Sequence, residues 1–191
     1  MKREGSVSRK TRETDIQVNL ALDGCGKTKV KTGIGFLDHM LTTLASHSRM
    51  DLEITAQGDL HIDDHHTVED VGICLGQALY KALGDKSGIQ RFGWALCPMD
   101  EALTRVALDL SGRTTFVFFC KEDALYNLRG DSLLEFFKSL SRECPMTLHL
   151  DVLRGENKHH VLESLFKSLA KALQQAVQIS GDEVPSTKGA L

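Results

Sequence analysis

The chain repeats itself, and that repetition constrains its fold more than any other feature. The strand-like pattern Val18, Leu20, Leu22 followed by Gly24 returns as Val106, Leu108, Leu110 followed by Gly112, with Glu13 falling opposite Glu101. Residues 37–44 return as 133–140, and Met50, Leu52, Ile54 return as Met146, Leu148, Leu150. HHTVED at 65–70 returns as HHVLES at 159–164. The offset is 88 residues from Val18 to Val106, 96 from Met50 to Met146 and 94 from His65 to His159, a drift that short loop insertions produce. In each half an alternating period gives way to helical spacing: Ile73, Leu75, Leu79, Leu83 in one and Leu165, Leu169, Leu173, Val177 in the other. Each half thus predicts a β-hairpin, a helix, a further strand and a longer helix. The expected fold is α+β: two duplicated half-domains, each a small β-sheet with helices packed on one face. The halves are placed at residues 1–90 and 91–191, joined near 84–93, where GDKSGIQRFG is rich in turn and charged residues. Two units of about 90 residues exclude a solenoid, whose period is roughly 20–50.

Composition narrows the function classes. With 191 residues the chain can bury a real core. A formal charge of −3 argues against a nucleic-acid partner, which would be held by clustered Lys and Arg. No apolar run approaches a membrane span, and the opening MKREGSVSRKTRE lacks the apolar stretch of a secretory signal. Five cysteines without a CxxC spacing read as free thiols in a reducing compartment, so a cytoplasmic protein is expected. There is no P-loop, GxGxxG or nucleophile elbow, and GDKSG is a turn.

The chemistry lies in two copies of HHxxE: His65, His66, Glu69 and His159, His160, Glu163. On a helix each glutamate shares a face with either histidine before it. The two histidines of a pair point about 100° apart, so each motif suits two metals rather than one. Imidazole with carboxylate suits Mn, Fe, Zn or Ni, and the carboxylates favour the harder ions. A lone HH pair is most simply a solvated turn. Two pairs at matched repeat positions, each with Glu at the same offset, point to metal binding. Asp63 and Asp64 are expected to orient the imidazoles. His39, in GFLDHML, can join the cluster, whereas its repeat mate is Glu135, either a ligand or an exposed helix carboxylate.

GIGFLDHML (33–41), GDLHIDDHHTVEDVGI (58–73), PMDEALTRVALDLSGR (98–113), GENKHHVLESLFK (155–167) and VPSTKGAL (184–191) together resemble imidazoleglycerol-phosphate dehydratase. The resemblance runs from about Glu13 to the C-terminus. It implies a hydro-lyase of histidine biosynthesis that converts imidazoleglycerol phosphate to imidazoleacetol phosphate. It also implies a symmetric homo-oligomer of roughly 24 chains with two Mn²⁺ ions per site at shared interfaces. The implied metal ligands are His39, His65, His66, Glu69, His159, His160 and Glu163. The family's eighth ligand is a histidine before a Phe-Phe pair; Glu135, before Phe136 and Phe137, takes that place here. The stretch from Arg113 to Glu135 is also slightly shorter than usual. Substrate-binding residues carried over are Glu13, His47, Arg91, Arg113, Lys167, Ser186 and Lys188. Their cations grip phosphate by charge-assisted hydrogen bonds, with residues 185–191 as a phosphate-binding tail.

The departing proton of such a substrate has no neighbouring carbonyl to acidify it. Two metals on the two ring nitrogens would stabilise a substrate imidazolate, which can expel the side-chain hydroxyl to give a diazafulvene-like species. Loss of the next carbon's proton then yields an enol that relaxes to the ketone. Glu13 is the first candidate for acid–base work and His47 the second. Two rival readings stand beside this one. The first is a catalytically weakened or inactive metal-bound assembly relative, because of Glu135. The second is a binuclear phosphohydrolase, which would release inorganic phosphate.

Overall fold

The computed structural model describes residues 2–120 and 132–189. Alternating apolar residues build the first strands, β1 (Glu4–Lys10) and β2 (Thr14–Ala21), with Val7, Ile16, Val18 and Leu20 turned inward. There follow β3 (Thr28–Lys31), α1 (Gly35–Ser48), β4 (Asp51–Gly58) and α2 (His65–Leu83). The second half runs β5 (Phe92–Met99), β6 (Ala102–Asp109), β7 (Thr115–Cys120), α3 (Ser132–Glu143), β8 (Thr147–Arg154) and α4 (Lys158–Ala176). Each half closes its own four-stranded sheet, in the orders β1-β2-β4-β3 and β5-β6-β8-β7.

The duplication holds down to the hydrogen-bond register. Val18 faces Val7 on one side and Ile54 on the other; Val106 faces Ala95 and Leu150. On the parallel edge Val30 faces Ile54, and Phe118 faces Leu150. These two edge strands are absent from the sequence expectation of one hairpin and one further strand per half. For β3 the reason is local: TKVK is four residues with one apolar side chain, a polar connection until β4 pairs with it, whereas β7, TFVFFC, has the aromatic and β-branched composition of a strand and the expectation of one further strand per half passed over it. Three residues, 32–34, join β3 to α1, whereas β7 and α3 are separated by 121–131. The longer offset of the second half therefore accrues at 121–131, which lie outside the described residues, as does most of the shortened Arg113 to Glu135 stretch.

The helices cover the inner faces of both sheets and meet across the halves, α1 against α4 and α2 against α3. Both apolar stripes expected from spacing are buried. The rings of Phe136, Phe137 and Phe166 pack edge-on and tilted against one another, with centroids 4.8 to 5.5 Å apart. Glycine at 72 lets α2 and α3 approach, since a Cβ there would meet the Phe136 carbonyl oxygen at 2.6 Å. The buried residues form one continuous cluster shared by both halves. Among the described residues no helix is long and apolar enough to cross a membrane.

Candidate metal centre and active site

Both HH pairs open a helix, and a side-chain oxygen two residues ahead of each pair's first histidine accepts its backbone N–H. Asp63 Oδ1 accepts the His65 backbone N–H at 2.9 Å, and Asn157 Oδ1 accepts that of His159 at 2.9 Å. The helical turn splays each pair: the ring planes of His65 and His66 differ by 79°, those of His159 and His160 by 88°. One histidine of each pair faces its own glutamate. His159 Nε2 lies 3.2 Å from Glu163 Oε2, and His65 Nε2 lies 3.8 Å from Glu69 Oε2.

The cross-packing of helices completes the first of these clusters. Because α1 lies on α4, His39 of the first half brings Nε2 to 3.4 Å from Glu163 Oε2 in the second. One ligand atom each from His39, His159 and Glu163 lie within 4.8 Å of one another, the one group of three possible metal ligands found among the described residues. Burial opposes ionisation of Glu163, but Lys167, at 2.8 Å, and His39 more than offset it and hold the carboxyl at about 2. The mirror position beside Glu69 belongs to α3. There Ser139 donates to Glu69 at 3.5 Å and Arg142 lies 3.9 Å away, while the Glu135 carboxylate sits 3.3 Å from Lys138. Glu135 is thus on the helix that faces Glu69 but is not drawn into a group of three.

The second histidine of each pair faces elsewhere. His66 Nδ1 is 3.0 Å from Asp59 Oδ2 and 4.0 Å from Glu13 Oε2; His160 Nδ1 is 2.6 Å from Glu101 Oε2. These contacts raise both imidazoles' pKa, through Asp59 first for His66 and through Glu101 first for His160. Asp59 and Glu101, not Asp63 and Asp64, are therefore the imidazole partners. Asp63 accepts the His65 backbone N–H, and Asp64 accepts from Ser132 Oγ at 2.6 Å. One signal could have found Glu101: it is the repeat mate of Glu13.

The remaining expected residues fall into separate groups within one chain. Glu13 is exposed on the β1–β2 turn. His47, in the last turn of α1, has its pKa lowered by burial and then by Lys171 and Lys167, against Glu163. Arg91 is fixed by Asp109, at 2.6 and 3.1 Å, and donates to the Pro185 carbonyl at 2.9 Å, so it ties down the tail bearing Ser186 and Lys188. Ser186 Oγ accepts the Lys188 backbone N–H at 3.2 Å, and Arg113 is exposed beyond β6.

A family model described as imidazoleglycerol-phosphate dehydratase matches residues 32–173. The chain belongs to the imidazoleglycerol-phosphate dehydratase family. The matched stretch holds His39, Glu135 and both HHxxE motifs. Relatives extend the match to the whole chain. The imidazoleglycerol-phosphate dehydratase of Chloroherpeton thalassium is 50% identical, covering 100% of this chain and 99% of its own. That of Roseobacter denitrificans is 53% identical, covering 99% and 100%. Among solved structures, the Staphylococcus aureus dehydratase superposes with a TM-score of 0.79 at 35% identity, covering 93% of this chain and 99% of that one. The Pyrococcus furiosus dehydratase, solved in complex with (S)-C348, gives 0.79 at 39% identity, covering 97% and 100%. The dehydratase fold, with two four-stranded sheets and their helices, is the duplicated α+β architecture expected from the repeat.

Proposed function

We propose that this chain removes water from imidazoleglycerol phosphate to give imidazoleacetol phosphate, working with two manganese ions per site in a cytoplasmic homo-oligomer of roughly 24 copies. The observation that carries the reading is the His39, His159, Glu163 cluster, in a chain about half identical over its full length to named dehydratases. Two imidazoles and an ionised carboxylate within 4.8 Å fit a divalent ion of intermediate hardness such as manganese. His39, His159 and Glu163 would hold one ion, and His65 and Glu69, with Glu135 as the α3 contribution, another. His66 and His160 point away from both clusters, which suits ligands offered to ions shared with other copies. Exposed Phe92, Trp94 and Leu96 on one edge of the second sheet and Phe119 on the other support self-association.

When bound, the ions supply Lewis acidity that draws negative charge from the substrate's imidazole ring. The chain's own residues do the rest. Glu13 is exposed and beside His66, so its carboxylate can take or return a proton at the substrate side chain. His47, whose pKa burial lowers, favours the neutral imidazole and can accept a proton or a substrate hydroxyl's hydrogen bond. Lys167, Arg91, Arg113 and Lys188, with the Ser186 hydroxyl, would bind the phosphate.

Incubation of the Mn²⁺-loaded protein with imidazoleglycerol phosphate tests this directly. Imidazoleacetol phosphate should form without inorganic phosphate. Release of phosphate would favour the phosphohydrolase, and a metal-bound oligomer without turnover would favour the inactive relative. Glu163→Gln should lower turnover by at least the roughly 10–100-fold that loss of a metal-site partner causes.

A further inference from the structure

The duplicated glutamates Glu13 and Glu101 do not behave alike. Glu101 sits at the β5–β6 turn with one carboxylate oxygen fixed: Oε1 accepts the backbone N–H of Asn157 at 2.9 Å and of Glu156 at 3.2 Å. Its other oxygen, Oε2, is 2.6 Å from His160 Nδ1. Glu13, at the matching turn of the first half, stands 4.0 Å from His66 Nδ1, where Asp59 has taken the closer place at 3.0 Å.

Loop length explains the difference. The connection ahead of the first HH pair, 59–64, is two residues longer than its counterpart, 155–158, and Asp59 begins it. In the shorter connection Gly155 follows the strand where Asp59 does in the longer one, and the backbone N–H groups of Glu156 and Asn157 are themselves bound to Glu101.

We propose that Glu101 is a positioning residue that accepts the Nδ1 hydrogen of His160 and leaves Nε2 free to coordinate, while Asp59 does the same for His66 and so frees Glu13 for proton transfer. The geometry of a metal-ligating imidazole requires such a partner: the nitrogen that donates to a carboxylate cannot coordinate, and the ring is fixed in both tautomer and orientation. His160 Nε2 lies on the opposite side of the ring, 3.6 Å from Asp100 Oδ2, in a side chain 26% exposed. Glu101 is not a mobile acid–base group, since two backbone N–H donors hold Oε1 and the His160 ring holds Oε2. Its repeat mate bears none of these bonds. The duplication has thus given one glutamate to the metal site and kept the other for the reaction. The inference rests on the metal-dependent reading above.

Glu101→Gln is the informative variant. The amide oxygen can still accept from Asn157, but its NH₂ then faces Nδ1 and drives the imidazole proton onto Nε2, the nitrogen that must bind metal. Mn²⁺ affinity, measured in the full-length protein by competition with a chelating dye, should fall roughly 10–100-fold at the sites His160 serves. The Tm of the metal-free protein should stay near that of the wild type. In a His160→Gln background the same substitution should cost no further affinity, because Glu101 acts through that ring. If the amide variant is less stable, the Tm gained on adding Mn²⁺, compared between Glu101→Gln and the wild type, gives the same comparison, and an equal gain overturns the proposal. Wild-type-like affinity in Glu101→Gln, or an equal loss with and without His160, would overturn the proposal and leave the dehydratase reading standing. A wild-type chain that binds no Mn²⁺ would overturn both.

Discussion

Glu13 illustrates how residue-scale chemistry follows from what a side chain is not bonded to. Exposed and free of backbone donors, it is the carboxylate most able to move a proton, and Glu13→Gln should lower kcat roughly 10²–10⁴-fold. Mn²⁺ affinity should be nearly unchanged, and steady-state kinetics beside a metal titration would check both. Away from the site, Asp51 Oδ1 accepts the backbone N–H of Cys25 and of Lys27, each at 2.8 Å. These bonds, the Cys25 one foremost, lower its pKa below the ordinary 3.8. A depressed carboxylate contributes stability that is fully present above its unfolded value and is lost as pH falls through its folded one. Asp51→Asn should therefore lower Tm at neutral pH and flatten the loss of Tm below about pH 4, read by thermal scans across that range. Six of the seven His and Glu ligand candidates stood out in sequence because a motif repeated at matched offsets is rarely accidental; His39, whose repeat mate is Glu135, had no such signal. Asp59 and Glu101 did not stand out, because which carboxylate meets an imidazole depends on how a loop closes, and spacing alone favoured Asp63 and Asp64.

At the scale of elements, the helices were legible and the short strand β3 was not. Long apolar stripes such as Leu165, Leu169, Leu173 announce α4 from local sequence, whereas β3 exists only because β4 offers it a partner. The contact of α2 with α3 carries a sharper prediction. Glycine to alanine inside a helix usually stabilises by about 1 kcal/mol. At Gly72 the new methyl would lie 2.6 Å from a backbone oxygen that cannot swing aside. Overpacking of roughly 1–3 kcal/mol should win, so Gly72→Ala should lower the denaturation midpoint. The same substitution would spread α2 from α3, and hence Glu69 from Ser139 and Arg142.

For the whole molecule, the pseudo-symmetric halves matter because their helices exchange partners: the candidate metal cluster draws His39 from one half and His159 with Glu163 from the other. Neither half could supply that group alone. The repeat revealed two similar units but not this exchange, since nothing in the spacing of α1 or α4 says which helix each will meet. Glu135 marks where the symmetry fails, and Glu135→His should tighten Mn²⁺ binding on the α3 side if that position ligates, as a metal titration would show. If ions bridge copies, exhaustive chelation should reduce the light-scattering mass; an unchanged mass would remove metal from the assembly. The most direct test of the account is turnover of imidazoleglycerol phosphate across a cycle of metal removal and return. Imidazoleacetol phosphate should form from the Mn²⁺-loaded protein, not after chelation, and again when Mn²⁺ is restored. Undiminished turnover in the fully chelated protein would contradict the account.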